Sequence, residues 1–226
     1  MKSRDILFID LEVTTNSNVI HAIGASYNNE KYTGTSVSAI RDIYFQYNPK
    51  FICGHNFINH DKRFLAKTSF NPIFDQVRII DTLFVSMLLY PDKLTHKLSK
   101  PYKTEAHIQN DPFGDCVATE NLLELMIDRF NSFDPKLKST LATLLNTEDR
   151  FNGFISLLDV TPEKINIYEF FKENIKSTRQ RFDQLTNDHP CEMAILLVYI
   201  KTNNRTSLSY AVLQTFPNIV NILKEL

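Results

Sequence analysis

Residues 5–13 read DILFIDLEV, an apolar run with two acids near its end. Its length and apolar content predict a buried strand at the centre of a sheet. Side chains two residues apart on a strand point to the same face, so the carboxylates of Asp10 and Glu12 can share one site. Burying unpaired charge is costly. The pair therefore indicates either a strand end that reaches solvent or a site that uses both acids.

The pattern outward from this strand predicts an α/β fold. Further strands are expected at 19–27, 30–35, 51–54 and 78–81, and helices at 37–47, 59–68, 82–90 and 114–130. Polar and basic residues at 91–112 predict a loop. Three strands followed by alternating helices and strands favour a mixed sheet with an antiparallel start and a parallel remainder.

The composition of the 226 residues is that of an ordinary globular protein, with 43% hydrophobic residues and a formal net charge of -1. This charge argues against simple electrostatic coating of DNA. The charge is compatible with an acidic site whose negative electrostatic field is reversed by bound cations. The three cysteines have no CxxC spacing, which indicates reduced thiols rather than a disulfide framework or a zinc site. With no signal-like or membrane-spanning run, we expect a cytoplasmic protein.

Two more acids occupy positions where α/β sheets place ligands. The segment GHNFINHD at 54–61 follows a predicted strand, so Asp61 can join Asp10 and Glu12. The segment NDPFGD at 110–115 opens a predicted helix and puts Asp115 on its first turn, where an acid also suits the helix dipole. Mg²⁺ prefers carboxylate oxygens. Four converging acids would suit two cations about 3.5–4 Å apart.

The motif series resembles that of the DEDD (DnaQ-like) 3′→5′ exonucleases. FIDLEVT, GHNFINHDKRFL, DTLFVSMLLYP and NDPFGDCVATENLL occur in the order that this family has. The second is similar to the GxNxxNFDxxxL form of polymerase-associated exonucleases, with His60 in the aromatic slot. Across residues 5 to about 130 the resemblance implies an RNase H-like mixed sheet flanked by helices.

The resemblance also implies the chemistry and its residues. Phosphodiester bonds would be hydrolysed from a 3′ end with two divalent cations, Mg²⁺ or Mn²⁺. The ligands would be Asp10, Glu12, Asp61 and Asp115. The residues expected to contact the substrate are Leu11, Thr14, His55, Asn56 and Asn59. From the residues alone, His55 and His60 suit loop capping or packing better than metal ligation.

One departure from the family pattern concerns the attacking water. Many members carry a histidine or tyrosine ahead of the last acid, and here those slots hold Asn110 and Asp111. Asparagine cannot accept a proton at neutral pH. Three alternatives follow: Asn110 orients the water, a loop histidine (His96 or His107) is the base, or the domain is slow or inactive.

Residues from about 136 onward show helical periodicity and predict a small, mostly helical second unit, giving domains at 1–135 and 136–226. HKLSKPYK at 96–103 and the segment 199–219 resemble parts of bacterial RecQ-like helicases that carry an N-terminal exonuclease. The chain lacks a GxxxxGK[ST] loop, so a helicase would be a further domain or an associated partner. The expected substrate is nucleic acid with a free 3′ end, DNA rather than RNA. The alternatives are an inactive nucleic-acid-binding module and a protein-interaction module.

Overall fold

The computed structural model describes residues 5–14, 19–28, 30–98, 111–163, 166–172, 177–202 and 206–225. The chain divides into two compact units. The first comprises Met1–Leu83 with Lys97–Leu125, and the second Phe84–His96 with Met126–Leu226. The sequence analysis instead places one boundary near residue 135. Among the described residues, no helix combines the length and apolar character needed to cross a membrane.

The first unit contains a five-stranded mixed sheet in the order β3-β2-β1-β4-β5. Its strands are β1 (Ile6–Val13), β2 (Ile20–Tyr27), β3 (Glu30–Gly34), β4 (Phe51–Gly54) and β5 (Arg78–Asp81). β1 pairs antiparallel with β2 and parallel with β4, while β2–β3 is antiparallel and β4–β5 is parallel. The predicted α/β class, with its antiparallel start and parallel remainder, is confirmed.

Four helices begin in the first unit: α1 (Val37–Tyr47), α2 (Asp61–Leu65), α3 (Thr82–Leu89) and α4 (Pro112–Asn131). The ends of α1 follow from its sequence. Ser36 caps its start by accepting a hydrogen bond from the Ala39 amide, and Asn48 closes its end in a left-handed conformation. The helix predicted at 59–68 is shorter, and a 3-10 helix at Asn71–Asp75 follows it.

The first half of strand β1 is buried on both faces, and Asp10 and Glu12 follow Ile6 and Phe8 on one of them. Leu7, Ile9 and Leu11 belong to a hydrophobic core that includes Ile40 and Tyr44 of α1. Full burial of one such side chain stabilises by roughly 1.5–3 kcal/mol, so this core holds one face of the strand in place. Because side chains alternate along a strand, Asp10 and Glu12 point to the opposite face of the sheet.

Regular structure in the described part of the chain after residue 131 is helical. The helices are α5 (Pro135–Leu145), α6 (Asn152–Leu157), α7 (Tyr168–Phe171), α8 (Arg179–Asp188), α9 (Pro190–Lys201), α10 (Tyr210–Thr215) and α11 (Asn218–Glu225). In α9 every side chain from Met193 to Val198 is fully buried. The three cysteines are free and buried, as their spacing indicated.

Candidate metal centre

Three carboxylates from two separate elements meet in the first unit. Asp10 and Glu12 lie on β1 and Asp115 lies in the first turn of α4. One ligand atom from each can be chosen so that all lie within 4.8 Å of one another, and the three residues are half-buried. Three oxygens at this spacing suit a hard cation. Three of the four acids that were predicted to converge therefore lie together.

A close backbone contact brings the start of α4 to the sheet. Gly24 on β2 pairs directly with Asp10. A Cβ atom on Gly24 would lie 2.2 Å from the carbonyl carbon of Pro112 and 2.4 Å from the amide nitrogen of Phe113. Only glycine leaves room for this approach. The contact places Asp115, one turn further along α4, beside Asp10.

Asp61 lies next to this group but is not one of its three members. Its side chain is buried, with 2% exposure. Its Oδ1 accepts a hydrogen bond of 2.8 Å from the amide of Leu11, the residue between Asp10 and Glu12. Burial raises the pKa of Asp61, which the His60 and Leu11 contacts partly oppose. Of the four predicted carboxylates, three form one group. Asp61 instead accepts a hydrogen bond from the backbone of β1, at the residue between Asp10 and Glu12.

Cys116 is a buried thiol whose pKa is affected by three of these acids. This thiol, one residue beyond Asp115, has 1% exposure. Burial raises its pKa well above the usual value, and the nearby charges of Asp10, Asp61 and Asp115 raise it further. A thiolate there would be strongly disfavoured, so Cys116 packs as a neutral side chain. The acids that act on this thiol come from β1, α2 and α4.

Asp81, at the end of β5, organises the loop that leads to Asp61 and is not among the site residues predicted from the sequence. Its side chain is fully buried. Oδ1 accepts hydrogen bonds from the amides of Asn56 (2.9 Å) and Leu83 (3.0 Å), and Oδ2 accepts one from Ile58 (2.9 Å). Burial raises the pKa of Asp81 to about 6 despite these three donors. The sequence offered one signal for this residue, namely an acid between a predicted strand and the start of a predicted helix.

The five predicted substrate contacts occupy different surroundings. Leu11 is buried in the core, so its backbone amide, rather than its side chain, reaches the site. Thr14 is exposed, and its amide and hydroxyl both donate to the carbonyl of Val19. The remaining three lie on the loop before α2. His55 Nδ1 lies 3.0 Å from Thr82 Oγ1, and exposed Asn59 donates to the side chain of Asn56, which has a positive φ of 62°.

The residues predicted to orient or deprotonate the attacking water are Asn110, His96 and His107. Asn110 and His107 lie outside the described residues. His96 belongs to the second unit, with 3% exposure. Its Nδ1 lies 2.8 Å from Ser86 Oγ and its Nε2 lies 3.2 Å from Ser209 Oγ. Both ring nitrogens are occupied within that unit, which favours a role in packing over the proposed role as a base.

The burial of His96 gives a prediction about stability and pH. Burial lowers the pKa of His96 to about 4, below its usual 6.5, so the unfolded chain binds the proton more readily. Its contribution to stability is therefore complete above pH 6.5 and is lost as the pH falls towards 4, by at most about 3 kcal/mol. We expect urea unfolding followed at pH 4.5 and 7.5 to differ less for His96→Gln than for the wild type. An unchanged difference would contradict this assignment.

The sequence matches no protein-family model and no curated protein. The chemistry of the site is therefore the basis for a functional assignment. Closely spaced carboxylates repel one another when ionised, and a divalent cation relieves this repulsion. Asp10, Glu12 and Asp115 have the donor chemistry for one such ion, and Asp61 offers a further carboxylate at the backbone of Leu11.

Proposed function

We propose that this chain is a metal-dependent 3′→5′ exonuclease of the DEDD type, built on an RNase H-like sheet and acting on DNA in preference to RNA. The observation that carries the proposal is the meeting of Asp10 and Glu12 with Asp115, while Asp61 bonds to the intervening Leu11 amide. The strand order and mixed pairing support the RNase H-like assignment. The proposed setting is the bacterial cytoplasm, with a helicase as a further domain or partner.

The energetics of the carboxylates support bound cations. Asp61 is almost completely buried, and an ionised carboxylate in that position costs several kcal/mol unless charge compensates it. His60 supplies part of this compensation, because its Nδ1 lies 3.7 Å from Asp61 Oδ2 and the interaction raises the pKa of His60. His60 is nearly half exposed, so its charge is screened by solvent. Cations shared with Asp10 and Glu12 would compensate Asp61 more completely.

The proposed reaction assigns each group a task. Two bound cations would activate a water and take up negative charge on the departing 3′ oxygen. Asp10, Glu12, Asp61 and Asp115 would hold these ions. Asn110 would orient the attacking water through its side-chain amide, since it cannot take up a proton at neutral pH. The alternative of an inactive nucleic-acid-binding module predicts binding of a strand without cleavage.

A basic and aromatic surface next to Asp61 suits a nucleic-acid backbone. Lys62, Arg63 and Lys67 lie on or just after α2, and the described residues provide no ion pair for any of them. The ammonium groups of Lys62 and Lys67 lie over the rings of Phe74 and Phe64. Local positive charge of this kind binds phosphates in a chain whose net charge is near zero.

Removal of one charge from this surface should change the salt dependence of binding. We expect Arg63→Ala to weaken binding of single-stranded DNA and to reduce the slope of log K against log salt by about 0.7, the value for one phosphate contact on a single strand. Fluorescence anisotropy with a labelled oligonucleotide in Ca²⁺ would measure it. Lys50→Ala is the control, since Lys50 lies just before the start of β4 whereas α2 follows the end of that strand. Equal slopes for the two variants would remove Arg63 from the binding surface.

A time course on end-labelled single strands tests the proposed activity. In Mg²⁺ or Mn²⁺, a 5′-labelled strand should shorten stepwise, whereas a 3′-labelled strand should release labelled mononucleotide at once. EDTA should stop both reactions, and a matched RNA strand should react more slowly. Internal cuts would contradict an exonuclease. An absence of cleavage with binding retained would establish the inactive binding module.

A further inference from the structure

The carboxylate of Asp81 joins two parts of the first unit that are distant in sequence. It receives amide hydrogen bonds from Asn56 and Ile58 in the loop after β4, and from Leu83 in the first turn of α3. The side chain is fully buried. A helix cap alone needs one oxygen and one amide. The two bonds to the loop therefore indicate a second task.

The loop held by Asp81 is restrained by further contacts. Asn56 has a positive φ of 62°, a conformation that asparagine tolerates better than most residues. Thr82 adds another restraint, because its hydroxyl donates to the Gly54 carbonyl and lies 3.0 Å from His55 Nδ1. The loop then continues into α2, where the amide of Lys62 donates to the carbonyl of Phe57. Asp81 and Thr82 thus fix the backbone from Gly54 to the start of α2.

The next link runs from this loop to β1. Asp61 opens α2, and its Oδ1 accepts the hydrogen bond from the amide of Leu11. The pairing of β1 with β4 ends at Phe8 and Cys53, before Leu11. The Asp61 carboxylate therefore accepts the Leu11 amide hydrogen bond where β4 no longer pairs with β1. The position of the Asp61 carboxylate therefore depends on the loop, and the loop depends on Asp81.

We propose that Asp81 is a positioning residue that sets the Asp61 carboxylate against β1 through the 54–61 loop. Its consequence for metal binding rests on the proposed function, whereas its effect on Asp61 does not. Asp81 needs two acceptor oxygens for this task. In Asp81→Asn the oxygen can still serve Leu83 and Asn56, but the NH₂ group then faces the Ile58 amide, donor against donor. This variant keeps the cap of α3 and breaks one loop contact.

Amide hydrogen exchange, read residue by residue by NMR without metal, tests the positioning itself. In Asp81→Asn we expect exchange at Ile58 and Leu11 to be at least ten times faster, while Leu83 keeps its protection. Asp75→Asn is the matched control, because Asp75 is an exposed acid in the same unit. Faster exchange at Ile58 with unchanged exchange at Leu11 would overturn the proposal, since the loop would then move without moving Asp61. If Leu83 also loses its protection in Asp81→Asn, the test moves to Asp81→Ser, which keeps a capping oxygen. Unchanged exchange at Leu11 in Asp81→Ser would also overturn the proposal.

A second readout connects Asp81 to the metal centre. We expect the Mn²⁺ concentration that gives half-maximal cleavage to rise about tenfold in Asp81→Asn, with the maximal rate partly recovered at high Mn²⁺. A purely structural defect would lower the rate without changing the metal requirement. If the wild type cleaves nothing, the proposed function fails, and the exchange at Leu11 still decides the role of Asp81. An active variant with an unchanged metal requirement would restrict Asp81 to a structural role.

Discussion

Replacement of Asp10 by alanine should reduce the rate of nucleotide release at least 10²-fold, the largest loss of activity that we expect from one substitution. Asp10 lies opposite Gly24 in the sheet, and its carboxylate is grouped with those of Glu12 and Asp115. Losses of transition-state electrostatics in other enzymes are of this size. The same time course on end-labelled strands measures it. Asp42→Ala, which removes an exposed acid from α1, should keep full activity.

The stability of the Asp10→Ala protein separates a functional acid from a structural one. Removing one of three close carboxylates relieves repulsion, so the melting temperature in EDTA should stay the same or rise. For the wild type, an ion present at ten times its Kd should stabilise the fold by about 1.4 kcal/mol. Asp10→Ala should lose most of this gain in Mg²⁺. A large drop in stability in EDTA, with metal stabilisation retained, would mean that Asp10 serves the fold and not an ion.

Local chemistry explains why much of the sheet could be predicted. The bounds of α1, β4 and β5 agree with the sequence prediction because apolar spacing and short-range caps determine them. The cap of α1 by Ser36 is a contact within three residues. Asp10 and Glu12 share a face through strand alternation alone, while Leu7, Ile9 and Leu11 pack into a hydrophobic core on the other face.

Long-range packing explains what the sequence could not supply. Asp81 has no distinguishing spacing, because its three amide partners are spread over residues 56–83. The placement of His96 between two serine hydroxyls depends on a partner 113 positions away in the chain. The separate environment of Asp61 depends on the amide of Leu11. Each feature is set by where distant elements meet, which residue periodicity does not encode.

Gly24→Ala should disrupt the metal centre without changing any of its ligands. The new Cβ would need space that the backbone of Pro112 and Phe113 occupies, so the start of α4 must move away from β2. Overpacking of this kind costs about 1–3 kcal/mol. Asp115 would move away from Asp10 and Glu12 with the helix. We expect activity to fall at least tenfold, measured at a temperature where the variant remains folded by circular dichroism.

Gly34→Ala provides the matched comparison because it makes the same change in the same sheet. Its Cβ would meet the hydroxyl end of the Tyr32 side chain, which can turn aside, whereas a backbone cannot. The two variants should therefore lose different amounts of activity, with Gly34→Ala close to the wild type. If both lose equally, glycine is needed for strand flexibility and not for the approach of α4. If Gly24→Ala keeps full activity while folded, α4 can retreat without harm, and Asp115 then cannot be an essential ligand at the distance that the structure gives it.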